Sequence, residues 1–177
     1  MNATLNLEPI PSMHWYVIYT KPRQELRALL NLEQQGYQCY LPLIAVEKLH
    51  RGKLSVIEEP LFARYLFIQL DASQSGKSWG PIRSTKGVSR LVAFGTEPTR
   101  VDDQLIQVLQ VRNQAFFNQP QCLYEPGERL LVNEGPFAGI EAVYQMSDGE
   151  HRAMVLIEIL SKPVQVKISP SSLSKIG

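Results

Sequence analysis

Glu134-Gly135-Pro136-Phe137-Ala138-Gly139 follows one apolar run, residues 130–132, and leads into another, residues 140–144. Gly135 and Gly139 can take backbone angles closed to other residues. Pro136 stiffens the loop and Phe137 is carried at its tip. A turn of this kind constrains its surroundings to short elements, and further turn signals follow at short intervals from Leu123 onward: Pro126-Gly127, Gly135-Pro136, Gly139 and Asp148-Gly149. Between them, Val164, Val166 and Ile168 alternate with Gln165 and Lys167, the period of a half-buried strand. Short strands with regular turns predict a small barrel over 123–177. The same residues admit a second reading. Phe137, Ile140 and Tyr144 have helical spacing, as do Met154, Ile157 and Leu160, while Val155, Ile157 and Ile159 alternate equally well as a strand.

The first part of the chain has a different texture. His14 to Thr20 is β-branched and aromatic and predicts a strand. Pro22 suits the first turn of a following helix, where its missing N–H costs nothing. Leu26, Leu29 and Leu30 then recur at helical spacing up to a stop at Gly36. A second strand over 39–46 is interrupted at Pro42, which argues for an edge or a bulge. Residues 47–59 predict a projecting polar hairpin, 65–70 a buried strand, 91–94 a short strand, and Asp102 the cap of a helix reaching about Asn113 with Leu105, Val108 and Leu109 on one face. The resulting organisation is α+β: a flexible leader over 1–12, an α/β sandwich over 13–113, a linker over 114–122 and a small second domain over 123–177.

Composition narrows the function. With 44% apolar and 20% charged residues the chain is globular rather than disordered. Its net charge of +1 divides unevenly. Residues 12–113 hold 13 Lys and Arg against 9 Asp and Glu, and residues 121–177 hold 5 against 7. A basic first part and a mildly acidic second part imply different partners. Cys39 and Cys122 have no CxxC partner, which suits a reducing compartment and gives no metal site. There is no P-loop, paired-acid motif or metal spacing, and His14, His50 and His151 are scattered. A soluble, cytoplasmic, monomeric protein without cofactor, membrane attachment or catalysis is the expectation.

The turn at residues 134–139, with Gly127 and the runs around it, resembles the KOW module of the NusG family. Trp15-Tyr16-Val17-Ile18-Tyr19 before a Leu-rich helix is similar to the opening of that family's N-terminal domain. Within the family the chain is most similar to the specialised RfaH-type paralogues. The matching stretches are Glu47-Lys48 with Arg51-Gly52-Lys53, Glu59-Pro60-Leu61-Phe62 with Tyr65-Leu66-Phe67, and Arg83-Ser84-Thr85-Lys86-Gly87-Val88.

The resemblance implies a transcription elongation and antitermination factor. An apolar patch matching Tyr19, Phe62, Tyr65, Phe67, Leu91 and Phe94 would bind the clamp helices of RNA polymerase, although Phe67, Leu91 and Phe94 are equally compatible with plain core. Lys21, Arg27 and Gln35, with Arg83, Thr85 and Lys86, match positions that read the non-template DNA strand. Arg23, Asn31 and Gln34 lie on the same helix region, and a solvated helix face is the alternative for the whole group. RfaH-type members carry His at the position of Asn31 and Arg at that of Gln34. The gate-loop contact of those proteins uses a His-Thr-rich turn, which Ser78-Trp79-Gly80-Pro81 does not match; Trp79 is expected to pack into the domain instead. The second domain would dock on a small-subunit ribosomal protein through Phe137, Ile140 and Val143. In RfaH-type proteins it also folds as a helical hairpin that masks the polymerase patch, held by an ion pair whose matching residues are Glu59 and Arg152.

Overall fold

Parity along the first strand decides the architecture. In a computed structural model, which describes residues 12–73, 79–117, 129–132, 138–161 and 173–176, β1 (Met13–Thr20) turns Trp15, Val17 and Tyr19 to one side and Tyr16 and Ile18 to the other. Each set is apolar, so the strand is covered on both faces.

The helix that follows, α1 (Glu25–Gln34), starts three residues later than Pro22 suggests. Arg23 adopts φ 60°, the Gln24 N–H donates to the Lys21 carbonyl, and this turn separates strand from helix. The leucine spacing also misidentifies the buried face. Leu26 and Leu30 are 60% and 51% exposed, whereas Ala28 and Leu32 are fully buried. Glu25 is buried too, because its carboxylate accepts the Arg64 backbone N–H at 2.9 Å.

Pro42 divides the strand expected over 39–46 into two rather than bulging it. It separates β2 (Gln38–Tyr40), which pairs with the main sheet, from β3 (Leu43–His50), which leaves it. Among the described residues β3 pairs only with β4 (Lys53–Pro60), in a two-stranded arm that spans the predicted hairpin. β5 (Tyr65–Asp71) returns to the centre, antiparallel to β1. Ser12 belongs to this ladder rather than to a leader: its carbonyl accepts the Ala72 N–H at 2.9 Å. After α2 (Gly80–Arg83) comes β6 (Val88–Leu91), three residues before the predicted strand. Val92 still donates to the Val17 carbonyl, but the chain then bends through Gly95. β7 (Arg100–Val101) precedes α3 (Asp103–Phe117), whose Gln104 N–H is capped by Asp102 Oδ1 at 2.8 Å. This helix runs four residues beyond Asn113, so residues 114–117 are helical rather than linker.

The sheet order is β2-β5-β1-β6, with β7 also on β1. On one face Ile18, Leu66 and Ile68 meet Ala28 and Leu32 of α1. On the other, Trp15, Val17 and Phe67 meet Leu105, Ile106 and Leu109 of α3.

The C-terminal residues depart from the barrel expectation. β8 (Arg129–Val132) pairs antiparallel with β9 (Leu173–Ile176), but between them lie α4 (Ala138–Val143) and α5 (Gly149–Ser161) where strands over 140–144 and 154–160 fit the same residues. Ile140, Val143, Ala153 and Leu156 are buried in the α3-side core. Burial of one face selects the helical period over the alternating one. Residues 1–11 of the leader, 118–122 of the linker, Cys122, Phe137 and the strand expected at 164–168 lie outside the described residues.

Candidate nucleic-acid and partner interfaces

Two surfaces gather the residues that the sequence singles out. The first joins α1 to the segment between α2 and β6. Gln35 Nε2 donates to Thr85 Oγ1 at 2.8 Å and to the Asn31 carbonyl at 3.1 Å. Thr85 Oγ1 donates in turn to the Pro81 carbonyl at 2.9 Å. Asn31 Nδ2 donates to the Arg27 carbonyl at 2.7 Å and to the Lys86 carbonyl at 3.5 Å. The Lys21 N–H donates to the Gly87 carbonyl. Gly87 sits so close to α1 that a Cβ there would lie 2.8 Å from the Ala28 backbone nitrogen, and its φ of +92° is one that glycine tolerates best. These bonds lock the loop onto the helix. Around them Lys21, Arg23, Arg27, Arg83 and Lys86 are exposed, as is Gln34, and the five cations have no ion-pair partner among the described residues.

Thr85 is buried, and the amide nitrogens of Asn31 and Gln35 already bond within the protein. In this conformation Gln35 and Thr85 hold the loop, while the exposed cations are what a polyanion meets. The sequence gives no sign of this relay, because its partners lie fifty residues apart.

The second surface is aromatic. Tyr19 and Tyr65 lie with ring centroids 5.0 Å apart, and the Arg64 guanidinium sits 4.1 Å above the Tyr19 ring. Phe62 and Phe67, in edge-to-face contact at 6.3 Å, are fully buried. The group of six is therefore not one patch. Leu91 packs on the α1 side, because its partner in register is Ile18, and Phe94 is exposed outside both cores. Tyr65 opens onto a cleft of about 1090 Å³ between residues 63–65 and α5, edged by Met154, Ile157 and Glu158.

Phe62 and Phe67 are buried beside α4 and α5, in the core that holds Ile140, Val143, Ala153 and Leu156. Ile140 and Val143, expected as a docking surface, are themselves covered here. Arg112 of α3 stacks over the Tyr144 ring at 4.6 Å. At the centre is Arg152, fully buried, whose guanidinium donates to the Leu61 carbonyl at 2.6 Å, the Met146 carbonyl at 2.8 Å and Glu59 Oε1 at 2.9 Å. Glu59 Oε2 also accepts from Lys48 Nζ at 2.8 Å. Burial works to raise the Glu59 pKa, but the hydrogen bonds and charges of Lys48 and Arg152 outweigh it and hold the carboxyl below its ordinary value. The Ala63 N–H donates to the Gly149 carbonyl. The Glu59–Arg152 pairing is legible in sequence by resemblance; the Lys48 share in it is not.

Burial, with Glu33 nearby, pushes the Cys39 thiol up to about 12, away from the thiolate form that a nucleophile needs.

The family model described as "Transcription termination factor nusG" matches residues 13–110. The chain belongs to the NusG family. It is 26% identical to the Transcription termination/antitermination protein NusG of Thermus thermophilus, over 93% of this chain and 99% of that protein. It is 30% identical to the NusG of Helicobacter pylori strain J99, again over 93% of this chain and 99% of that protein. A solved structure described as "Domain interaction in Thermotoga maritima NusG" aligns with a TM-score of 0.43 and 19% identity, covering 71% of this chain and 75% of that one. The family match spans the sheet, α1 and the loop at 83–88, and ends within α3. Helices α4 and α5 lie beyond it, within the part covered by the full-length NusG relatives. No helix among the described residues is long and apolar enough to cross a membrane.

Proposed function

We propose that this NusG-family chain is an RfaH-type elongation and antitermination factor, non-enzymatic and monomeric, held closed until it meets a transcription complex. The observation that carries the reading is the seal of α4 and α5 over Phe62 and Phe67, fastened by Arg152 on Glu59. Tyr19, Phe62, Tyr65 and Phe67 would bind the clamp helices of RNA polymerase once uncovered. A buried aromatic group of this kind suits a partner-binding centre. Lys21, Arg23, Arg27, Arg83 and Lys86 would follow the phosphates of the non-template strand, with Asn31, Gln34, Gln35 and Thr85 shaping the surface.

Departure of α4 and α5 would free both partners' surfaces at once. It uncovers Phe62 and Phe67 for polymerase, and it releases Ile140 and Val143, with Phe137, to dock on a small-subunit ribosomal protein after residues 123–177 refold as a KOW barrel. Packing supplies most of the closing force. Burying one Val, Ile or Leu side chain contributes about 1.5–3 kcal/mol, whereas the attraction in the Arg152–Glu59 pair is offset by the cost of taking the Arg152 guanidinium out of water.

A pull-down of core RNA polymerase tests the reading. Arg152→Ala is expected to bind more than wild type and Tyr65→Ala much less; undiminished binding by Tyr65→Ala would overturn the clamp assignment. A housekeeping NusG role is the second reading, favoured by the end-to-end match to NusG proteins. Rho-dependent termination in vitro separates the two, since a housekeeping factor promotes it and an RfaH-type factor does not.

A further inference from the structure

Arg64 stands where an arginine is costly to the backbone. Its φ is 71°, in the left-handed region, where glycine or asparagine is the easier residue. Three bonds hold it there. Its backbone N–H donates to the buried Glu25 carboxylate at 2.9 Å, its carbonyl accepts the Thr20 N–H at 2.8 Å, and its side-chain Nε donates to the Thr20 carbonyl at 3.0 Å. A strained residue kept in place by its surroundings is explained by what its side chain does. Here it lays a guanidinium 4.1 Å above the Tyr19 ring.

A second arginine comes to the same ring. Arg90 of β6 is the register partner of Tyr19, so it shares that face of the sheet, and its guanidinium lies 5.2 Å from the ring centroid. Tyr65 packs against Tyr19 at 5.0 Å. Burial and Tyr19 raise the Tyr65 pKa, and the charges of Arg90 and Arg64 act against that rise. Both cations are therefore within electrostatic reach of its hydroxyl. Neither has an ion-pair partner among the described residues. An arginine engaged through its flat face keeps its N–H edge for another group. The Nε of Arg64 is taken, but its two terminal nitrogens have no hydrogen-bond acceptor among the described residues.

We propose that Arg64 and Arg90 form a carboxylate-binding site at the edge of the aromatic surface, and that it takes an acidic side chain from a helix of the protein partner. That the partner is polymerase rests on the reading above; the carboxylate is read from the two arginines. A guanidinium edge matches a planar carboxylate with two parallel hydrogen bonds. The cover already in place shows the shape that fits. Across the cleft from Arg64 and Tyr65, α5 turns Glu150, Met154 and Glu158, spaced four apart and hence along one side of the helix. An apolar side chain one turn from an acid is thus what this surface meets when closed. Arg64 makes no ion pair with α5, so its charge stays available to an incoming helix. Phosphates fit the site less well. The cations that suit a nucleic-acid backbone, Lys21, Arg27 and Lys86, gather beside α1, whereas Tyr19 belongs to the opposite face of the sheet.

The test titrates core RNA polymerase with the full chain, unsubstituted and carrying Arg152→Ala, at low and at high salt. Arg64→Asn keeps the corner, since Asn tolerates positive φ. Combined with Arg90→Gln it is expected to weaken binding about tenfold at low salt in both backgrounds, and less at high salt, where charge is screened. If the double variant melts early, Arg90→Gln alone, at an exposed strand position, carries the test with an expected loss of about threefold. Replacing the clamp helices' carboxylates by amides one at a time should reproduce the loss at one position, with no further loss from the arginine variants there. Wild-type affinity in the arginine variants overturns the site. So does a loss confined to the chain without Arg152→Ala, which would act through closure, and so does an equal loss for a fluorescein-labelled DNA duplex. Tyr65→Ala reports on the wider reading. Undiminished binding by it overturns polymerase as the partner, whereas its loss beside unchanged binding by the arginine variants removes the arginine site alone.

Discussion

The two faces of the central sheet are finished by different means. On one, Tyr16, Ile18, Leu66 and Ile68 are covered by α1, which leaves β1 after a four-residue turn. On the other, Trp15, Val17 and Phe67 are covered partly by α3 and partly by α4 and α5, more than seventy residues after Phe67 in the chain. The near cover is apolar at its centre, with its polar relay at the margin. The far cover has a guanidinium at its heart, bonded to two carbonyls and one carboxylate. One face is covered by a helix adjacent in the chain; the other is covered in part by remote helices fastened by few polar bonds, as the proposed opening would require.

Breaking the far cover gives the largest expected effect. Arg152→Ala leaves the Leu61 and Met146 carbonyls without their donor and Glu59 with Lys48 alone. It is expected to weaken docking of α5 by ~3–5 kcal/mol, read as faster amide hydrogen exchange over residues 149–161. Next come two matched truncations. Leu32→Ala and Leu156→Ala each remove a fully buried leucine, at ~2–5 kcal/mol. The first is expected to lower the melting temperature of the whole sheet. The second is expected to expose α5 while amides of β1 and β5 keep their protection; equal loss of protection on both faces would erase the contrast.

Gly87→Ala probes the near cover at its tightest point. The added methyl meets the Ala28 backbone at φ +92°, and a loss of ~1–3 kcal/mol in thermal stability is expected. The smallest effect is a pH dependence. Lys48 and Arg152 together hold the Glu59 pKa below its ordinary 4.5, and the Arg152 share, made only when α5 is docked, lets Glu59 support docking above that value. The support is lost as pH falls through the lowered value. Protection of the α5 amides, relative to their intrinsic exchange at each pH, should therefore fall on acidification in wild type and fall less in Glu59→Gln.

Much of the near half is legible in the sequence. The β-branched and aromatic run of β1, the interruption at Pro42, the arm and the Asp102 cap all follow from local rules. The start of α1 does not, because Pro22 is compatible with a first turn and only the positive φ of Arg23 forbids it. Counting leucines also fails there. Leu26 and Leu30 face solvent, and the α1 face that meets the sheet is built on Ala28 and Leu32, small enough at position 28 to admit Gly87.

In the far half, residues 140–144 and 154–160 carry both periods, and only the apolar face waiting on the sheet selects one. The candidate site shows the same division. Its exposed cations are readable one by one, but the use of Gln35 and Thr85 as struts depends on a contact between residues fifty positions apart.

The corner between β4 and β5 has a consequence for how this chain can change over evolutionary time. There the Leu61 carbonyl accepts from Arg152 and the Ala63 N–H donates to the Gly149 carbonyl. Both anchor points on the corner are main-chain atoms. Drift in the side chains at positions 61 and 63 can alter the packing around these anchors, but no exchange at position 61 deletes its carbonyl, and only proline at 63 removes its donor. Inherited adjustment of the helices' hold is thereby channelled to Arg152, Glu59, Lys48 and the apolar residues of α4 and α5, a handful of positions through which a lineage can loosen or tighten this packing without redrawing the sheet.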